Sequence, residues 1–523
     1  MKKLLVAATT CILLSSCGGG GGGGGGSAPT APPSLSLQLS STSGSASVLD
    51  GNTQTLTTSA TVTEQNGSLP YVVDVQYDSA VFASVSATAG TTPGTYTVAA
   101  QTRPDLLVGD YKGTITARLC KEVACATVYT SATYAYDINV RLQDWQTFQR
   151  NAAHTGRVHV KLDPSRFAKA WEWTISTNAN NGLTYGINGL TTIGGNVIVT
   201  RNNTFNSNGT VYALNEATGA QVWSTDIPGI ATEGAAAAAN GKIYVPAIGP
   251  TQNNAVYVFD SATGNYLFKS IFYAQWTVPG APTPYGDQFY LAAGSYGGQI
   301  SSHAQTSDEV KWRTMSVGAP SASLQSVAVD DQSVYYHTGG TLNIFNRVTG
   351  VLTTSIQDAS DSSGYDYGAP VLTSKNSVIS LSGTGYYTRY VTLIDTVTKA
   401  RLWRSAIPYS AQPAYAKNLI FTAKDTPARL DVLKESDGTI AWSWVPPIAD
   451  SRFASNIIVT DNLLFVSTDK AVYAIDLTTH QSVWSYPASG NLILSPGYKL
   501  YIQSTAISTI PRTGPSITAI SLQ

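Results

Sequence analysis

Six stretches of this 523-residue chain follow one pattern: ALNEATGAQVW ending at Trp223, VFDSATGNYLF at Phe268, IFNRVTGVLTT at Thr354, LIDTVTKARLW at Trp403, VLKESDGTIAW at Trp442 and AIDLTTHQSVW at Trp484. Asp or Asn stands eight positions before the last residue (Asn215, Asp260, Asn346, Asp395, Asp476), with Lys434 as the exception. Gly stands four before it (Gly219, Gly264, Gly350, Gly438), with Lys399 and His480 as departures. A hairpin accounts for both positions. Asp or Asn ends a strand and bonds the turn backbone, and Gly takes the φ > 0 position that closes a short loop. The next strand then presents a large side chain to one face. AKAWEWTI, with Trp173, and SSHAQTSDEVKW, with Trp312, are read as degenerate copies. The anchors 173, 223, 268, 312, 354, 403, 442 and 484 then lie 39 to 50 residues apart. A unit of that length built from four strands is a β-propeller blade. The C-terminal LILSPGYKLYIQS and SITAISL supply strands but no final aromatic strand, and the segment around Trp173 fills the gap. The expected fold is all-β, with an eight-bladed propeller over residues 143–523; setting aside the Thr354 copy, the weakest, leaves seven.

Helical periodicity is almost absent elsewhere too. Residues 35–142 read as about seven alternating strands (SLSLQLSS, TQTLTTSATVT, YVVDVQY, GTYTVAAQ, GDYKGTITARLC, CATVYT and TYAYDINVRLQ). That count over about 100 residues fits an immunoglobulin-like sandwich. Tryptophan is absent before Trp145, and all ten lie beyond that boundary. One fixed aromatic position per blade is explained by packing between neighbouring sheets, so Trp173, Trp223, Phe268, Trp312, Trp403, Trp442 and Trp484 are assigned to the core.

The pattern A-x-D-x-x-T-G-x-x-x-W resembles the PQQ-like, or quinoprotein-like, propeller repeat. GTVYALNEATGAQVW matches it best, and DWQTFQRNAAHTG (144–156) looks like the segment that opens such propellers. The resemblance covers residues 144–523. It implies either a periplasmic quinoprotein dehydrogenase or a non-enzymatic protein of the kind that includes BamB, an outer-membrane lipoprotein that helps assemble β-barrels. The dehydrogenases use a vicinal cysteine pair, a Ca²⁺ held by carboxylate and amide, and an Asp base. No cysteine follows Cys125.

At the other end, Lys2 and Lys3 precede an apolar run, Leu4 to Leu14, too short to span a bilayer. Leu14-Ser15-Ser16-Cys17 resembles the lipobox of bacterial lipoproteins. That resemblance implies a signal peptide over 1–16, acylation of Cys17 and stable anchoring by several chains. Nine glycines follow, and residues 17–34 form a flexible leash. Gly18 rather than Asp follows the cysteine, and by the same resemblance to lipoprotein sorting this implies the outer membrane, with the leaflet left open. Cys11 leaves with the signal, so Cys120 and Cys125 remain. In an oxidising compartment they form a disulfide across a hairpin end; two thiolates without a nearby histidine are too few ligands for zinc.

Charged residues make up 12% of the chain and the net charge is −1, which excludes a basic field for nucleic acid. Asp358, Asp361 and Asp366 in DASDSSGYDYG are the best calcium-like group, but they lack the spacing of a binding loop and read as a solvated acidic turn. His154, His159, His303, His337 and His480 show no paired metal spacing. No catalytic, cofactor or metal site is assigned. The expected function is a non-catalytic, lipid-anchored envelope scaffold with a protein or glycan partner. The alternatives are a PQQ-dependent dehydrogenase and an adhesin-like surface binder.

Overall fold

The structure is a computed structural model. It describes residues 5–7, 31–175, 186–204, 208–249, 254–274, 279–294, 298–315, 326–338, 340–358, 369–384, 388–504 and 515–523. Cys17, the glycine run, Asp361 and Asp366 lie outside them. The chain divides into two compact units, Met1–Leu142 and Gln143–Gln523. Among the described residues no helix is long and apolar enough to cross a membrane.

The first unit is two β-sheets over one core. One sheet runs Ser34–Leu39, Thr55–Gln65, Thr95–Thr102, Phe82–Ala89; the other runs Leu5–Ala7, Val72–Gln76, Gly109–Cys120, Val128–Arg141, Ser43–Leu49. Period-2 alternation is plain in Thr55–Gln65, where Leu56, Thr58, Ala60 and Val62 face inward and Thr57, Ser59 and Thr61 face water. Phe82, Tyr96, Leu119, Tyr136 and Ile138 from both sheets meet in the core. Two details differ from the sequence expectation. CATVYT and TYAYDINVRLQ contribute to one 14-residue strand, Val128–Arg141. Ser43–Leu49 and Phe82–Ala89 are additional strands, and Ser43–Leu49 pairs in parallel with Val128–Arg141. Ser, Ala and Gly dominate Ser43–Leu49 and give little hydrophobic contrast, while in Phe82–Ala89 a register shift between Phe82 and Ser84 takes the buried Phe82, Val85 and Ala87 out of strict alternation.

The second unit contains, among the described residues, eight antiparallel sheets, numbered here in chain order. Sheets 1 to 7 occupy residues 191–228, 232–271, 283–315, 328–357, 371–404, 414–444 and 453–486. Each uses four consecutive strands in sequence order; sheet 2 adds the short strand Ala237–Ala239. Sheet 8 joins the two ends of the unit. Ala168–Thr174 pairs with Ser516–Ser521, which continues through Lys499–Ser504 to Asn491–Leu494. The second and third strands are almost wholly buried (Gln288–Ala293 and Leu463–Thr468 throughout), whereas the fourth strands alternate. That gradient is expected when inner strands are covered on both faces and outer ones on one.

Candidate interaction site

The repeat residues build one face of the propeller. In five turns between third and fourth strands, an Asp or Asn side chain caps the backbone. Asp260 Oδ1 accepts from the amides of Ala262 and Thr263 at 3.1 and 2.8 Å, and Asn215, Asn346, Asp395 and Asp476 do the same. These bonds hold the carboxyls of Asp260, Asp395 and Asp476 below the usual range; the Thr263 side chain leads for the first and backbone amides for the other two. Where Lys434 replaces the acid, Asp437 bonds Thr439 instead. The turn glycines lie at φ near +70° and are followed by a one-residue register shift. They also pack on the indole of the preceding sheet. A Cβ on Gly219, Gly264, Gly350 or Gly438 would fall 2.4–2.6 Å from the rings of Trp171, Trp223, Trp312 and Trp403 respectively.

This relay corrects one anchor. In sheet 8 the packing residue is Trp171, not Trp173. Trp171 pairs with Ala519 as Trp223 pairs with Ala213, contacts Gly219, and donates from Nε1 to the Glu216 carbonyl at 3.0 Å. Trp223, Trp312 and Trp403 make the equivalent bonds to Ser261, Arg347 and Glu435. Trp173 instead meets Tyr212 edge-on. The departures from Gly have local reasons. His480 takes φ +59° and stacks on Trp442, with ring centroids 4.1 Å apart. Lys399 takes φ +56° in the sheet after Thr354, whose side chain is small. Phe268 packs in the core between sheets 2 and 3, and Trp484 meets Phe167 in place of a turn.

The opening segment has a larger role than its resemblance implied. Residues 145–156 cross the innermost strands of sheets 1 to 7 in turn. The carbonyls of Trp145, Gln146, Ala152, Ala153, Thr155 and Gly156 accept from the amides of Thr192, Ala238, Val329, Leu372, Tyr415 and Val459 at 2.7–3.0 Å. Thr147 supplies the link to sheet 3, donating to the Pro282 carbonyl at 2.7 Å. Trp145, Gln149, Arg150 and His154 are fully buried along it. His154 Nδ1 bonds the Pro370 carbonyl at 3.1 Å, and burial lowers its pKa to about 4. It is a neutral core histidine in a left-handed backbone position, φ +56°.

The other histidines are not brought together either. His303 bonds Ser270 at 2.7 Å and Ser301 at 2.8 Å and stacks on Phe289, and burial lowers its pKa to about 3. His159 and His337 are buried in other sheets' surroundings. Asp358 pairs with Arg401 at 2.6 Å. Glu233 is buried, with its carboxyl pushed well above the usual range by desolvation. Cys120 and Cys125 are joined, with Cα atoms 4.9 Å apart.

Antiparallel order puts the turns described above, together with the connections between first and second strands, on one face; the second-to-third connections and the links from one sheet to the next lie on the opposite face. There, at the ends of neighbouring fourth strands in sheets 2 and 3, Ile271, Tyr273 and Met315 are each more than half exposed. The Arg313 guanidinium lies 4.3 Å from the Tyr273 ring centroid and donates to the Ile271 carbonyl at 2.9 Å. An apolar patch fixed around a cation–π pair suits a partner surface rather than chemistry on a small molecule. The sequence carried no signal for it, because these residues lie outside the repeat positions.

A family profile described as "Outer membrane protein assembly factor BamB" matches residues 207–444 and 387–502, together more than half of the chain. No curated protein matches. Among solved structures, BamB from Moraxella catarrhalis is similar with a TM-score of 0.50 and 12% identity, over 68% of this chain and 99% of that one; at that identity the likeness is one of fold. The chain therefore belongs to the family described as outer membrane protein assembly factor BamB.

Proposed function

We propose that this protein is a lipid-anchored scaffold of the outer membrane, held through acylated Cys17 on its glycine leash, and that the eight sheets are eight blades presenting a protein-binding face. The residues 35–142 sandwich is a spacer of immunoglobulin-like type. The family description supports a role in outer-membrane protein assembly. The observation that carries the reading is the distribution of side chains. Repeat carboxylates, glycines and aromatics are occupied by turns and packing, while Ile271, Tyr273 and Met315 stand exposed on the face without repeat turns, with the half-buried Arg313 over the Tyr273 ring. The partner is an envelope protein, and no PQQ or metal is required.

Crosslinking in native envelopes tests this. Tyr273→Ser combined with Arg313→Glu should reduce crosslinked partner at least tenfold while leaving the melting transition unchanged. Equal recovery of partner would remove the proposed face.

A further inference from the structure

The cystine of the first unit sits beside a carboxylate that does not use one of its oxygens. Cys120 ends the strand Gly109–Cys120, and Asp74 lies in the neighbouring strand, where Val72 pairs with Cys120 and Asp74 with Arg118. Asp74 is 1% exposed and both cysteines are buried. One carboxylate oxygen and the two sulfurs lie within 4.8 Å of one another. The Asp74 Oδ2 atom pairs with the Arg118 guanidinium, but Oδ1 is buried and has no hydrogen-bond partner. A buried carboxylate oxygen without a donor is costly, and the Asp74 carboxylate, close to both sulfurs, is placed as a third ligand.

We propose that reduction of this cystine opens a site for one thiophilic divalent cation such as Zn²⁺, held by Cys120, Cys125 and Asp74. The reductant is a phosphine, which takes the oxygen of one water as the S–S bond breaks and two thiols form. The cation then displaces both thiol protons and binds two thiolates at about 2.3 Å and Asp74 Oδ1 at about 2.0–2.2 Å, leaving the fourth tetrahedral position to water. Ligands at those lengths are about 3.5 Å apart on one ion, within the spacing found here. The charges also close: two thiolates and one carboxylate balance a divalent cation and Arg118. Two cysteines alone offer too few ligands, and Asp74 is what the fold adds. Oxidised, the sulfurs are bonded to each other and the site is shut, so occupancy follows redox state.

The test uses the full chain with Cys11→Ser and Cys17→Ser, so that only these two thiols remain. It is titrated with Cd²⁺ before and after phosphine reduction, and the thiolate-to-metal charge-transfer absorbance is followed. One Cd²⁺ should bind per reduced chain and none per oxidised chain, and Asp74→Asn should weaken binding at least tenfold. No band after reduction, or equal affinity in Asp74→Asn, overturns the proposal. Should Asp74→Asn fail to fold, the reduced parent decides. Zn²⁺ should slow alkylation of both thiols at least tenfold in chain that keeps its near-ultraviolet dichroism, and unchanged labelling refutes the site.

Discussion

At the scale of single residues, two buried histidines make a signed pH prediction. In the folded protein burial lowers His154 to about 4 and His303 to about 3, against about 6.5 for an unfolded histidine. The unfolded chain therefore binds more protons below pH 6.5. Stability should fall as pH drops from 6.5 towards 4, by up to about 1.4 kcal/mol per pH unit for each histidine. Glu233 acts in the opposite sense, because its raised pKa favours the folded state at low pH. Comparing the parent with His303→Gln isolates the histidine: the variant's melting temperature should fall less steeply between pH 6.5 and 4.5, and an unchanged slope would contradict the assignment. Packing gives a second test. Gly350→Ala and Gly241→Ala both place a side chain at φ above +70° or close to it, but only the first meets a ring, with Trp312 2.4 Å away. Gly241→Ala should cost about 1 kcal/mol and Gly350→Ala about 2–4 kcal/mol by chemical denaturation. Trp171→Ala should likewise cost about 3–5 kcal/mol, and Trp173→Ala clearly less.

At the scale of elements, what the sequence makes legible is what recurs. Asn215, Asp260 and Gly264 announce their hairpins because the turn needs an acceptor and a positive φ, and those demands leave few residue types. The Trp171 position was misread as Trp173 because its strand has no preceding turn to set the register, and alternation in Trp-Glu-Trp sends both indoles to one face. Small side chains hide the strand Ser43–Leu49, and the bulge after Phe82 breaks the alternation of Phe82–Ala89. The path of residues 145–156 was illegible for a different reason: it is held by backbone carbonyls, which carry no residue identity. Closure of sheet 8 was legible, since a four-strand unit lacked one strand at the end and had one to spare at the start. This predicts that removing residues 516–523 leaves Ala168–Thr174 without its hydrogen-bonding neighbour. Calorimetry of that truncation should show loss or marked lowering of the propeller transition, with limited proteolysis beginning within residues 143–523; an unaltered transition would mean that the end strands do not hold the ring.

At the scale of the whole molecule, the family likeness leaves two chemical histories open, and the interior argues between them. A quinone cofactor needs a cation to polarise it and a base to take the substrate proton. Glu233, on the innermost strand of sheet 2, has its carboxyl pushed well above the usual range by burial, and Asp431, on the third strand of sheet 6, is taken up by Tyr409, Arg429 and Ser443 at 3.0, 2.7 and 2.6 Å. The inner strands of seven sheets are bonded to residues 145–156, and Trp145, Arg150 and His154 fill the space beside them. A cofactor bound there would have to displace a segment that ties the sheets together, breaking at least six backbone hydrogen bonds. Fold alone does not transmit activity, and here the shared fold has been filled from within. Purified chain mixed with PQQ and Ca²⁺ should therefore give no binding heat in calorimetry and no reduction of dye with alcohols or glucose. Micromolar binding accompanied by turnover would show that the segment yields, and would place the protein with the dehydrogenases instead of the scaffolds.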